Sequence, residues 1–113
     1  MKAVTHDFTR PIWEYLGWNT EATLDRVEIK EVTQDSRKVR QGSAFFAYDG
    51  LHAKGKDFIW DACKKLATAI FVDSIYKAEI LNDPRFNRKM PIFFAHDFLR
   101  SAGRTVALLL GEP

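Results

Sequence analysis

Three short apolar runs constrain this chain more than any other feature of its sequence. They are residues 43–48 (Ser-Ala-Phe-Phe-Ala-Tyr), 69–72 (Ala-Ile-Phe-Val) and 90–95 (Met-Pro-Ile-Phe-Phe-Ala). A strand that is apolar at consecutive positions must be covered on both faces, which is the situation of a parallel strand inside an α/β sandwich. Each run is followed by a stretch with helical spacing. Phe58, Ile59, Ala62, Cys63 and Leu66 fall on one side of a helix for which Asp57 is the natural N-cap. A second helix, capped by Asp73 or Ser74, runs to about Leu81 and is broken by Asn82-Asp83-Pro84. A third opens at Asp97 and runs to about Leu110, closed by Gly111 and Pro113. Ahead of these, residues 9–16 read as a helix capped by Thr9, with Pro11 in its first turn and Gly17 at its end. Residues 19–25 read as a polar connector. Val27 and Ile29 alternate with Glu28 and Lys30 as a half-buried strand that bulges or stops at Val32. Strands and helices alternating in this way predict a single α/β domain over 1–113, with a mixed or largely parallel sheet of four to five strands flanked by helices.

No apolar run approaches the ~20 residues of a membrane span. The Met1-Lys2-Ala3-Val4 start has no apolar stretch behind its lysine and does not read as a signal peptide. Cys63 is the only cysteine, so no internal disulfide can form, and a reducing, cytoplasmic setting fits. The three histidines are scattered and no pair has metal-ligand spacing. Between Asp35 and Lys56 there are five basic residues (Arg37, Lys38, Arg40, Lys54, Lys56) against two acidic ones, while the rest of the chain has 12 basic and 13 acidic. Positive charge gathered in one segment suggests an anionic ligand there and argues against a basic coat for nucleic acid. The last predicted helix ends in Ala107-Leu108-Leu109-Leu110, apolar all round. Such an end is covered either by a neighbouring domain at Leu108 and Leu110 or by its own core.

The local charge sits in two loops flanking the run 43–48, namely residues 33–42 and 50–56. Hydroxyls, backbone N–H groups, a guanidinium and glycines that allow close backbone approach are what a diphosphate requires. The second loop also imitates a P-loop: Gly50-x4-Gly55-Lys56 follows a strand and opens a helix, and 69–72 followed by Asp73 imitates the matching strand-plus-aspartate. The last position argues against it, because Asp57 stands where a magnesium-binding Ser or Thr is needed and would add negative charge beside the phosphates.

The pattern Thr33-x-Asp35-Ser36-Arg37-Lys38-Val39-x-x-Gly42-x-x-Phe45-x-Ala47, followed by Gly50-x4-Gly55-x-x-Phe58-Ile59-x-x-Ala62, resembles the N-terminal domain of the Mur ligases. These ATP-dependent enzymes build the peptide of peptidoglycan on a UDP-muramic acid carrier, serving cell-wall growth, cell shape and division. The MurE type, which adds the third amino acid, matches best; MurF has a related first domain. Residues 109–113 also resemble the end of a MurE first domain. The resemblance implies a domain that binds the UDP moiety of UDP-N-acetylmuramoyl-dipeptide. Ser36 and Arg37 would hold the nucleotide, Gln34 would contribute mostly backbone, and Leu51, His52 and Ala53 would line the uracil pocket. ATP and magnesium would belong to an absent central domain packing near Leu108 and Leu110, so this chain alone would not be catalytic. A MurF-type first domain, or a non-catalytic interaction module keeping the same fold, are the alternatives.

Each residue also has a plainer reading. Asp35 can form a turn with its own backbone, and Ser36 can cap that turn. Arg37 can pair with Asp35 or Asp49 instead of phosphate. His52 can be solvated, Lys54 and Lys56 can be a solvated fringe, and Trp13, Trp18 and Trp60 can be core or cover. The chain departs from the family pattern at Lys54, where the family has Asp, and at Leu66, where the family often ends the helix with Gly.

Overall fold

The computed structural model describes residues 5–111; Met1 to Val4 and the closing Glu112 and Pro113 lie outside them. The elements in chain order are β1 (His6–Thr9), α1 (Arg10–Tyr15), β2 (Asn19–Thr20), β3 (Arg26–Ile29), β4 (Glu31–Thr33), β5 (Ser43–Phe46), α2 (Ile59–Lys64), β6 (Ala69–Asp73), α3 (Lys77–Leu81), β7 (Ile92–Ala95) and α4 (Phe98–Leu109). Three 3-10 turns, Ser36–Lys38, Gly55–Phe58 and Ser74–Tyr76, precede β5, α2 and α3. The main sheet runs β2-β7-β6-β5-β4, with β4 to β7 parallel and β2 antiparallel at one edge. A separate antiparallel pair, β1 with β3, packs on one face of it. The predicted single α/β domain with a largely parallel five-stranded sheet is what forms.

The three apolar runs become the inner strands, and their alternation supplies both cores. Ala44, Phe46, Phe71, Phe93 and Ala95 point to the face covered by α1, α4 and the β1–β3 pair. Phe45, Ala47, Ile70, Val72, Ile92 and Phe94 point to the face covered by α2 and α3. On the first face the Phe46, Phe71 and Phe93 rings stack across β5, β6 and β7, with centroids 4.6 and 5.2 Å apart. Trp18 lies on Phe71 at 4.6 Å, and its indole N–H donates to Thr105 Oγ1 at 2.8 Å. Trp13 is equally buried, yet its indole N–H finds no partner among the described residues. Trp13 and Trp18 are therefore core, as their plainer reading has it.

Several sequence expectations need correction. The polar connector contains β2, held to β7 by side chains: Thr20 Oγ1 donates to the Ile92 carbonyl at 2.7 Å and Asn19 Nδ2 to the Phe94 carbonyl at 3.0 Å. The alternating strand breaks at Lys30, so that β3 and β4 join different sheets. Thr9 occupies the N-cap of α1 but its side chain makes no capping bond. Asp57 sits inside a 3-10 turn, and α2 starts beyond it at Ile59 with Phe58 as an uncapped N-cap. Phe58 and Leu66 are exposed, not on the buried side of α2. Leu66 takes φ +64°, the left-handed conformation that glycine occupies without strain. Asp73 does cap the following turn, accepting from Ile75 N at 2.9 Å. Cys63 is partly buried, and burial pushes its thiol up to about 11, which keeps it protonated at neutral pH. At the end of α4, Leu109 is buried while Leu108 and Leu110 are 45% and 59% exposed.

Candidate functional site

In open α/β sheets ligands gather where loops leave the carboxyl ends of parallel strands. Here β4 and β5 are adjacent and parallel, so the loops leaving Thr33 and Phe46 start side by side. The first loop then has to return to the opposite end of the sheet to enter β5. Only its first half, residues 34–38, belongs to the carboxyl-end surface. Its second half ends where Arg40 pairs bidentately with Glu31 (2.8 and 3.0 Å) and Ser43 Oγ donates to the same carboxylate at 2.6 Å. The Arg40 guanidinium and the Ser43 hydroxyl hold the Glu31 carboxyl below its usual range.

The first half of the loop is a turn built by Asp35. Its Oδ1 accepts from Arg37 N at 3.0 Å, and its carboxylate grips the Arg37 guanidinium at 3.0 and 2.9 Å. The Arg37 side chain and amide together draw the Asp35 carboxyl down to about 2. Thr33 Oγ1 accepts the Asp35 amide at 3.0 Å. Ser36 is left nearly buried, 9% exposed, on the first residue of the 3-10 turn. Its carbonyl accepts from Lys65 Nζ at 3.0 Å, and the same ammonium reaches Asp61 Oδ2 at 3.0 Å. A pocket of about 330 Å³ opens here, lined by Gln34, Asp35, Ser36, Arg37 and Phe58. A second pocket of about 330 Å³ lies on the other side of Gln34, against Val32, Thr33, Phe46, Tyr48 and Val106.

The second loop is clipped shut by one carboxylate. Asp49 Oδ1 accepts from Gly55 N at 2.9 Å, and Asp49 Oδ2 accepts from the Tyr76 hydroxyl at 2.6 Å. Inside the clip, Gly50 N donates to the Ala53 carbonyl at 2.8 Å. Gly55 is buried against the end of β5: a Cβ there would collide with the Ala47 carbonyl group and come within 2.7 Å of the Tyr48 oxygen. Leu51, His52 and Ala53 at the tip are all exposed, Leu51 by 97%, and they line neither of the two pockets beside Gln34.

Gln34, Ser36 and Arg37 thus share one pocket, while Leu51, His52 and Ala53 project from the neighbouring loop. Folding commits part of the expected positive charge to ion pairs and leaves Lys38 and Lys54 exposed on the two loops. Arg37 is spent on Asp35, Arg40 lies at the far end of the sheet, and Lys56 pairs with Glu79 at 2.6 Å and Asp57 at 3.3 Å. Lys56 is therefore not a solvated fringe. The P-loop imitation fails for the same reason. A nucleoside triphosphate with magnesium does not fit a lysine already held by two carboxylates, and the matching Asp73 is committed to a turn. Sequence reasoning missed Phe58, Tyr48, Lys65 and Tyr76 as parts of this surface. Phe58 lay in the recognised pattern but read as helix core. The partners of Lys65 and Tyr76 lie 29 and 27 residues away, where no local signal reaches.

A family model described as "Mur ligase family, catalytic domain" matches residues 28–100. The UDP-N-acetylmuramoyl-L-alanyl-D-glutamate--2,6-diaminopimelate ligase of Coxiella burnetii is 35% identical over 95 residues, covering 84% of this chain and 18% of the relative. The enzyme of the same name from Streptomyces avermitilis is 28% identical over 109 residues, covering 96% of this chain and 21% of its own length. Among solved structures, MurF from Acinetobacter baumannii superposes with a TM-score of 0.62 at 17% identity, covering 88% of this chain and 20% of that one. The chain thus spans about a fifth of the length of these relatives.

Proposed function

Because this chain belongs to the Mur ligase family, we propose that it is the domain that grips the UDP end of UDP-N-acetylmuramoyl-dipeptide in an ATP-dependent ligase adding the third residue of the peptidoglycan peptide. The observation that carries this reading is the pocket in which the nearly buried Ser36 meets Gln34, Arg37 and Phe58, beside a loop whose Leu51, His52 and Ala53 are free to meet a base. Ser36 supplies a hydroxyl, the Ser36–Lys38 turn supplies backbone donors, and the 51–53 tip supplies backbone groups for the imide edge of uracil. Arg37 reaches a phosphate only by exchanging Asp35 for it, so its contribution is the smaller one. The MurE type is favoured over MurF by the diaminopimelate-ligase names of the relatives, whereas the MurF structures share the fold at much lower identity.

The domain's part in the reaction is positioning. Binding energy released at the remote nucleotide holds the reacting carboxylate near the activating ATP, which the rest of a longer protein supplies with its magnesium. Leu108 and Leu110, exposed at the end of α4, are the place where that remainder packs. The setting is the cytoplasm, and neither nucleic acid nor membrane is a partner. Titrating UDP into the isotope-labelled chain checks the reading. Amide resonances of residues 33–38 and 50–56 should move, and Ser36→Ala should weaken binding by about tenfold, the usual loss for one hydrogen bond to a charged group. Resonances that stay in place at millimolar UDP overturn it.

A further inference from the structure

We infer that Tyr76, on the turn after β6, is a positioning residue for the nucleotide loop after β5, setting which base that loop accepts. The inference rests on the UDP-binding reading above and adds a residue outside both loops. Three observations carry it. First, the tip residues Leu51, His52 and Ala53 are exposed, so little packing fixes the tip. Second, the two ends of the loop meet at one carboxylate: Asp49 belongs to the outgoing end, and its Oδ1 takes the amide of Gly55 at the returning end. Third, the other oxygen of that carboxylate is held by a group from a different crossover, the Tyr76 hydroxyl at 2.6 Å.

A carboxylate on a single Cβ–Cγ bond turns freely unless both oxygens are engaged. The Tyr76 hydroxyl removes that rotation and aims Oδ1 at the Gly55 amide. Tyr76 is itself held, because the Lys56 ammonium lies 5.7 Å over its ring and is tied to Glu79 on α3. The Asp49 hydrogen bond also pushes the Tyr76 hydroxyl up to about 12, so it remains a donor throughout the physiological range. The chain of contacts from α3 through Lys56 and Tyr76 to Asp49 makes the base-reading loop part of the neighbouring crossover.

Tyr76→Phe removes the hydroxyl and keeps the ring and its cation contact. Binding of UDP and ADP would be measured calorimetrically on wild-type and variant chains, alongside amide exchange at Gly55 without ligand. The expected result is faster Gly55 exchange, a loss of about fivefold to tenfold in UDP affinity, and little change for ADP, whose phosphates alone engage the site. The preference for uridine over adenosine therefore narrows, which a general loss of stability would not produce. Wild-type chain that binds UDP while the variant keeps the same UDP-to-ADP ratio overturns the role of Tyr76 and leaves the UDP reading standing. Wild-type chain that fails to bind UDP overturns both. Asp49→Asn, which keeps one acceptor oxygen but offers an amide toward the other donor, should reproduce the Tyr76→Phe loss; an unchanged ratio there also counts against the inference.

Discussion

The two loops leaving β4 and β5 begin side by side and are held in opposite ways. The first is built mainly by its own residues: Asp35 caps its own turn, Arg37 folds back on Asp35, and Thr33 accepts the Asp35 amide, while Lys65 donates from outside to the Ser36 carbonyl. The second is closed at its base by Asp49 and Gly55 and across its tip by Gly50 and Ala53, and its Asp49 carboxylate borrows a further anchor from Tyr76. A turn made rigid by neighbours in sequence offers its donors at fixed positions. A tip clipped only at its base can adjust to what it meets. If the proposed UDP reading holds, the first loop meets the diphosphate and the second meets the base.

The comparison breaks most visibly at Gly55. Gly55→Ala puts a methyl into the Ala47 and Tyr48 backbone, while the same change at Gly50 meets nothing closer than the Ala53 oxygen at 3.7 Å. Thermal unfolding should show Gly55→Ala costing about 3 kcal/mol or more, against less than about 1 kcal/mol for Gly50→Ala. Equal effects would mean that the second loop is not clipped at its base. A change of opposite sign is expected outside both loops. Leu66→Gly relieves the left-handed backbone at the end of α2 and should stabilise by about 0.5–1 kcal/mol after the added freedom of the unfolded chain is counted. Amide exchange in residues 34–38 and 50–55 should not change with it, which separates local rigidity from global stability. The smallest effect is a titration. The Asp35 carboxyl is lowered in the folded chain from 3.8 to about 2, so its stabilisation of the first turn is complete above about pH 4 and is lost as pH falls through about 2. The Arg37 amide resonance should move across that window while the Gly50 amide, bonded to a carbonyl, does not.

Much of this was readable from residues alone, and for a physical reason. Strands β5, β6 and β7 are buried on both faces, so hydrophobicity marks them without any knowledge of their partners. The Asp35 turn was readable because every group in it lies within four residues. What escaped was made by distance. Asn19 and Thr20 look like linker, and become a strand by pairing with β7, some 75 residues away, where their side chains also reach the carbonyls of Phe94 and Ile92. Residues 6–8 carry no strand assignment from sequence, and Thr9 reads as a helix cap; their pairing with β3 depends on contacts some 20 residues away. The same limit hid Tyr76 and Lys65 from the site, and made the charge between Asp35 and Lys56 look concentrated when the fold sends Arg40 to the opposite end of the sheet.

The two-residue β2 has a further consequence. It closes one flank of the main sheet with a strand too short to template another, and its side chains occupy the carbonyls of β7 that an incoming chain would seek. Among the described residues, the other border of the main sheet is β4, three residues long and screened by the Glu31–Arg40 pair. The main sheet is thereby a poor template for adding strands from another molecule at its borders.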